Sequence, residues 1–266
     1  MYQRAAIAIP LDNYSINSRI SKTEKKDWID HSHPLIVHTL KKTALYEYFI
    51  ECPDKQLFID TNLPLGIGIG GSSALVASLI KLEEKVTLRT RSFKESLELA
   101  MVCEDLAHGR SSGLDVAVAL LQKPMSYRAG QVEDIAPGFE QSLMLVNTGA
   151  SNCSTRNCVT QVAKNFGAYH KIWDDFEDIY NAIVQDGITH EAIKENHILL
   201  KKIGVVPDPV CQFISSIEKE GGAAKISGAG NIHASSHNAG VIIATGIDQN
   251  NLSDIGSAYG YSFLPG

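Results

Sequence analysis

At 266 residues the chain is long enough for one large domain or two moderate ones, and 44% hydrophobic with 20% charged residues is a globular composition that excludes a disordered chain. A net charge of −6 argues against a sequence-independent grip on nucleic acid, and no stretch approaches the ~20 apolar residues that span a bilayer. The N-terminus lacks an apolar signal core with a cleavage site, so the expected compartment is the cytoplasm, with neither nucleic acid nor membrane as partner.

Residues 4–11 read as a short strand closed by Pro10 and the Asp12-Asn13 turn signal. A single helix is expected over 34–51, with Pro34 at its first position and Leu35, Val37, His38, Leu40, Leu45 and Phe49 on shared faces. Residues 56–61 read as a strand that runs into Asn62-Leu-Pro-Leu-Gly-Ile-Gly-Ile-Gly-Gly-Ser-Ser-Ala74. Beyond it Leu75, Leu79, Leu82 and Val86 recur at helical spacing, so the glycine run opens a helix. Ser92 and Glu95 form a capping box, and Phe93, Leu97, Ala100 and Met101 carry an amphipathic helix to about residue 107, stopped by His108-Gly109. The turn cluster Ala136-Pro137-Gly138 precedes an apolar strand over 142–146 and marks the expected seam, dividing the chain into domains 1–137 and 138–266. Asp208, as N-cap, and Pro209 start a late helix whose buried stripe is Val210, Phe213, Ile214 and Ile217, ended by Gly221-Gly222. Strand-like runs over 223–226 and 239–244 flank a further glycine turn. Helices and strands intermingle, which is the α+β class.

Cys52, Cys103, Cys153, Cys158 and Cys211 are odd in number and contain no C-x-x-C pair, so small buried thiols are expected rather than a disulfide framework. His233 and His237 stand four apart in a loop composition, which does not read as a zinc pair.

Three stretches carry chemistry. The first, residues 66–73, packs four glycines into six positions between a strand and a helix. Glycine lets the main chain take positive φ and approach a bulky anion, and the helix behind supplies unpaired N–H groups. Ser72 and Ser73 can cap that helix or reach a metal-bound phosphate. Gly66-x-Gly68-x-x-Gly71 also satisfies the dinucleotide spacing, but Pro64 interrupts the approach and no ribose-binding acid follows. Gly66-x-x-x-x-Gly71 starts like a Walker loop and fails where Ser72 replaces lysine. A plain turn is the remaining reading.

The second stretch is Glu104 with Asp115, eleven residues apart across a glycine-bounded loop. Phosphoryl transfer needs oxygen ligands for Mg²⁺ and a group to orient the attacking hydroxyl, roles that suit Glu104 and Asp115 in turn. On spacing alone, an exposed helix residue and a helix N-cap explain the two acids as well. The third stretch, Lys225-Ile-Ser-Gly228-Ala229-Gly230, admits close packing against its backbone or a simple hairpin turn.

In this order the three stretches resemble the GHMP kinases, the family of galactokinase, homoserine, mevalonate and phosphomevalonate kinases. Pro64 through Ala74 is similar to the family's phosphate loop, with Gly71 in place of its first serine and Ser72 at its second. Glu104 and His108-Gly-x-x-Ser112-Gly113-x-Asp115 resemble the mevalonate-kinase segment that supplies a Mg²⁺ ligand and a catalytic base. Asn147-Thr-Gly149 with Ser154-Thr155, and the turn at 225–230, resemble the family's substrate-facing stretches.

The resemblance implies a two-lobed fold, with a ribosomal-protein-like N-terminal ATP-binding domain and a ferredoxin-like C-terminal domain. It implies ATP and Mg²⁺ as cofactors, and transfer of phosphate to the primary hydroxyl of mevalonate or a similar small alcohol, a step of isoprenoid precursor synthesis. The implied site is Asp115 as catalytic base and Ser72 with Glu104 on the metal. Pro64, Gly66, Gly68, Gly70, Gly71, Ser72 and Ser73 would lie on the nucleotide, and Ser112, Gly113, Thr155, Gly228, Ala229 and Gly230 on the substrate. A homodimer is compatible with it. Only Arg110 and Lys225 are basic near the motifs, which favours an alcohol without a phosphate of its own.

Two departures stand out. Residues 231–237, Asn-Ile-His-Ala-Ser-Ser-His, are bulkier than the family's usual continuation. The chain also starts inside the family's first run, with Tyr2 and Ala5-Ala6-Ile7-Ala8 as its tail, so the strand, lysine and Gly-Glu-His ahead of it are expected to be missing. The alternatives are another GHMP kinase or a non-catalytic binding protein on the same fold.

Overall fold

The computed structural model describes residues 5–23, 28–29, 32–64, 66–108, 111–140 and 142–264; Tyr2, Gly109 and Arg110 lie outside them. In chain order its elements are β1 (Ala6–Ala8), β2 (Ile16–Lys22), α1 (Pro34–Lys42), α2 (Leu45–Glu51), β3 (Lys55–Thr61), α3 (Gly71–Thr87), α4 (Phe93–His108) and α5 (Leu114–Leu121). They continue with β4 (Met125–Arg128), β5 (Gln131–Asp134), β6 (Met144–Asn147), α6 (Thr155–Phe166), α7 (His170–Asp186), α8 (His190–Lys202) and α9 (Asp208–Lys219). The last are β7 (Ala223–Ile226), β8 (Val241–Thr245), α10 (Gln249–Ala258) and β9 (Ser262–Leu264). The chain divides into a smaller unit, Ala8–Leu63 with Gly70–Met125, and a larger one, Met1–Ile7, Pro64–Ile69 and Ser126–Gly266. No helix among the described residues is long and apolar enough to cross a membrane.

In the smaller unit β2 and β3 pair antiparallel from Ile16↔Thr61 to Lys22↔Lys55. Its core gathers Leu40, Leu45, Phe49, Leu57 and Leu79 around Trp28, whose ring meets Phe49 edge-on at 4.8 Å. A second cluster, Val76, Ile80, Ala100, Cys103 and Val116, joins α3, α4 and α5. The α3 residues alternate between these clusters at helical spacing, so one helix spine holds both. Full burial of each such aliphatic side chain is worth about 1.5–3 kcal/mol.

The helix expected over 34–51 is two helices. Thr43 is extended (φ −119°, ψ 165°), and its Oγ1 lies 3.0 Å from the carbonyl oxygens of both Thr39 and Leu40. The next N–H, of Ala44, donates to Glu83 Oε1 on α3 at 2.9 Å. Glu83 is buried and paired with Arg91 at 2.5 Å. A tertiary carboxylate therefore fixes the break, and periodicity carries no trace of it. The capping box does form: Ser92 N and Oγ donate to Glu95 Oε2 at 2.8 and 2.7 Å, and Glu95 N donates back to Ser92 Oγ at 3.3 Å.

The larger unit is built on an antiparallel sheet of order β7-β8-β6-β9, with α8 and α9 packed on β7 and α10 on β9. A three-stranded sheet of order β1-β4-β5 accompanies it. Phe213, Ile214, Ile217, Ile226, Ile242 and Leu252 are fully buried between helices and sheet. The stripe assigned to α9 is thus the one buried, but its cap is Pro207 rather than Asp208. Proline's fixed φ (here −60°) with an extended ψ of 153° sets the entry, and Asp208 becomes the first helical residue, its N–H donating to Ala234 O at 2.8 Å.

Candidate active site

The glycine run is a chain of left-handed turns. Gly66, Gly68 and Gly70 have φ of +80°, +81° and +75°, alternating with Ile67 and Ile69. No atom lies within 4 Å of where a Cβ on Gly66 or Gly68 would stand, so backbone conformation rather than crowding demands glycine there. Gly70 is the N-cap of α3 and supplies no side-chain cap. The first-turn N–H groups of this 17-residue helix, by its geometry, have no intrahelical acceptor, and its dipole makes that end positive.

Glu104 stands beside this helix start in the smaller unit. It is 3% exposed, and three serine hydroxyls converge on it: Ser72 at 3.1 Å and Ser73 at 2.6 Å on Oε1, and Ser111 at 3.0 Å on Oε2. Glu104 is therefore not an exposed helix residue. Asp115 is not a cap either: Gly113, at φ +80°, is the N-cap of α5, and Asp115 lies exposed in the first turn. A Cβ on Gly70 would stand 3.8 Å from Asp115 Cβ. The fold thus brings Ser72, Glu104 and Asp115 to the head of α3 from three successive helices, α3, α4 and α5.

The turn before α5 is tight. A side chain at Gly113 would come within 2.9 Å of Met101 Sδ and 3.4 Å of Leu97 Cδ1. Ser112 Oγ accepts from Leu114 N at 3.3 Å and Ser111 Oγ from Gly113 N at 3.1 Å. Nothing in the sequence pattern singles out Ser111. Its only signal is a hydroxyl next to a glycine turn.

The remaining expected residues lie in the larger unit. The carbonyl oxygens of Ile67 and Gly68 lie 2.6 and 3.2 Å from where side chains on Gly240 and Gly228 would begin. The first half of the glycine run therefore rests against the 225–230 turn at Gly228 and against Gly240, just ahead of β8. Gly230 is the most confined: Val205 O would lie 2.2 Å and Ile226 Cδ1 2.5 Å from an added Cβ. Its carbonyl accepts from Ser151 Oγ at 3.1 Å, which ties the turn to the loop ahead of Thr155, the exposed first residue of α6. Pro64 precedes the run, and Ala229 sits half-buried between Gly228 and Gly230.

The bulky continuation at 231–237 folds upon itself. Asn231 is fully buried, and its Nδ2 lies 2.8 Å from Asn152 Oδ1, 3.0 Å from Ser236 Oγ and 2.8 Å from Asn238 O, while its Oδ1 accepts from His233 N. Lys225 donates to Ile226 O at 2.9 Å, and burial lowers its pKa to about 8. His197, buried nearby on α8, is pushed down to about 4 by burial and then by Lys201 and Lys225.

Among the described residues no group of three or more His, Cys, Asp or Glu side chains could hold a metal by itself. A serine hydroxyl 3.1 Å from one buried carboxylate oxygen is a hard-oxygen donor set of another kind. It fits Mg²⁺, which keeps several waters and binds through one or two carboxylates plus a substrate's phosphates.

Residues 35–123 match the family of GHMP kinases N terminal domain. With 99% of the chain covered, the fold superposes on the Methanococcus jannaschii mevalonate kinase at a TM-score of 0.76 over 91% of that chain, with 15% identity. The chain thus shares the fold of these kinases, and its segment 35–123 matches their N-terminal domain. The Streptococcus pneumoniae phosphomevalonate kinase shares the fold too, at a TM-score of 0.74 and 15% identity, over 99% of this chain and 92% of that one. In sequence, the mevalonate kinase of Thermococcus onnurineus is 27% identical over 188 residues, which are 65% of this chain. The match spans 56% of that relative's length.

Proposed function

We propose that the chain transfers the γ-phosphoryl group of ATP to the primary hydroxyl of mevalonate or a closely similar alcohol. The observation that carries this reading is the meeting of Ser72, Glu104 and Asp115 at the positive end of α3. First-turn N–H groups and the glycine-run backbone receive the phosphates. Ser72 and Glu104 would hold Mg²⁺, which supplies charge neutralisation on the transferring phosphate when bound. Asp115, exposed in the first turn of α5, orients the acceptor hydroxyl and takes its proton. In the larger unit, the loop ahead of Thr155 and the turn over Gly228, Ala229 and Gly230 form the substrate-facing backbone. The boundary between the two family domains falls after residue 137, and the protein acts in the cytoplasm.

Replacing Asp115 by Asn should lower kcat by about 10²–10⁴, the usual range for a lost general base, in an assay coupling ADP release to NADH oxidation. Equal turnover removes Asp115 from the chemistry. A non-phosphorylated alcohol is preferred because Lys225 is held on Ile226 O rather than offered as a cation for a second phosphate. A panel of mevalonate, phosphomevalonate, homoserine and galactose decides among these acceptors. Turnover on phosphomevalonate alone replaces the substrate assignment.

A further inference from the structure

We infer that Ser111 is a positioning residue that orients the Glu104 carboxylate and couples it to the turn presenting Asp115. Ser111 falls at one of the unspecified positions of the His-Gly-x-x-Ser-Gly-x-Asp pattern, so the resemblance gives it no role. The structure gives it three bonds. Its Oγ donates to Glu104 Oε2 at 3.0 Å and accepts from Gly113 N at 3.1 Å, and its own N–H donates to Asp105 Oδ1 at 3.1 Å.

These bonds divide the work on Glu104 by oxygen. Oε1 faces α3 and takes Ser72 and Ser73, whereas Oε2 faces the 111–113 turn and takes Ser111. A carboxylate rotates about its last carbon–carbon bond, and a donor on the far oxygen fixes that rotation. With Ser111 in place, the Oε1 edge stays turned towards Ser72. The same hydroxyl accepts from Gly113 N–H, and Gly113 sets the left-handed start of α5 on which Asp115 sits two residues later. One hydroxyl therefore links the acid proposed for the metal to the element that carries the proposed base. This inference rests on the kinase reading, since it needs Glu104 to hold the nucleotide's Mg²⁺. Partners of metal-ligating carboxylates are worth about 10–100-fold in metal affinity.

The test uses equilibrium binding of a fluorescent ATP analogue to the full chain across a Mg²⁺ titration, with the metal-free affinity measured in EDTA. Ser111→Ala should raise the half-saturating Mg²⁺ concentration about 10–100-fold while leaving the EDTA affinity within about twofold, and Ser111→Thr should restore the wild-type requirement. In a Glu104→Gln background, Ser111→Ala should add less than about twofold, because the two side chains act as one unit. A Mg²⁺ shift below about threefold, an equal loss of affinity in EDTA, or an undiminished shift in the Glu104→Gln background overturns the role. A Ser111→Ala chain that circular dichroism shows unfolded at assay temperature also overturns it, in favour of a purely structural contact. Wild type that binds the analogue without any Mg²⁺ dependence overturns the kinase reading, and this inference with it.

Discussion

Glycines that look alike in sequence do different work here, and their substitutions should separate. Gly66 needs only its positive φ, since nothing stands within 4 Å of an added side chain. Gly66→Ala should therefore cost about 1–2 kcal/mol of stability, the ordinary strain of a left-handed non-glycine residue. Gly230 has the same sign of φ (+69°) and also a backbone carbonyl, Val205 O, 2.2 Å from the added carbon. A backbone atom cannot rotate away as a side-chain tip can. Gly230→Ala should lose at least about twice as much, in the range of overpacking added to strain. Urea denaturation of both variants checks the order. The glycine cluster was legible as a loop needing unusual φ, but which glycine is crowded depends on Val205, twenty-five residues away in sequence.

At the scale of elements, the break between α1 and α2 is the clearest case of tertiary structure overriding a local pattern. The apolar spacing of 34–51 is continuous, yet Thr43 turns out of the helix and Ala44 N–H is taken by Glu83. Glu83 is held in turn by Arg91, both side chains under 10% exposed. Removing one partner leaves a buried charge uncompensated. Glu83→Ala should cost about 3–5 kcal/mol, and Glu83→Leu combined with Arg91→Met should recover most of it. Chemical denaturation of the single and double variants measures both. If Glu83→Ala were near neutral, the pair would not be what anchors the break. The capping box at Ser92 was readable because all its parts lie within four residues. The cap of α9 was misplaced by one, because Pro207 and Asp208 both suit a helix entry and the extended ψ of Pro207 decides between them.

At the scale of the whole molecule, stability should fall on mild acidification through His197. Its folded pKa of about 4 lies below the model-compound value of 6.5, so between these limits the unfolded chain binds the proton and the folded chain does not. This contribution is fully present above pH 6.5 and is lost as pH falls towards 4. The displacement corresponds to roughly 3 kcal/mol. His197→Leu should flatten that part of the stability–pH curve, measured as urea midpoints between pH 4 and 7. An unchanged slope would assign the acid sensitivity to other groups. Core placement explains the shift: His197 sits on α8, which packs on β7, the strand that carries Lys225.

The sequence by itself determined the periodic elements, the buried stripe of α9 and the three glycine-bearing stretches, because each depends on residues within a few positions of one another. Their order along the chain also carried the family resemblance. Tertiary structure alone decided that Glu104 is buried rather than exposed, that Ser72 and Ser73 share one of its oxygens while Ser111 takes the other, and that Gly230 has no room for a methyl group. Those are contacts between residues tens of positions apart or across a loop whose path no local rule prescribes. Hydrogen-bond partners are chosen by where packing within each unit's own core leaves each helix end, and that is a property of the folded chain.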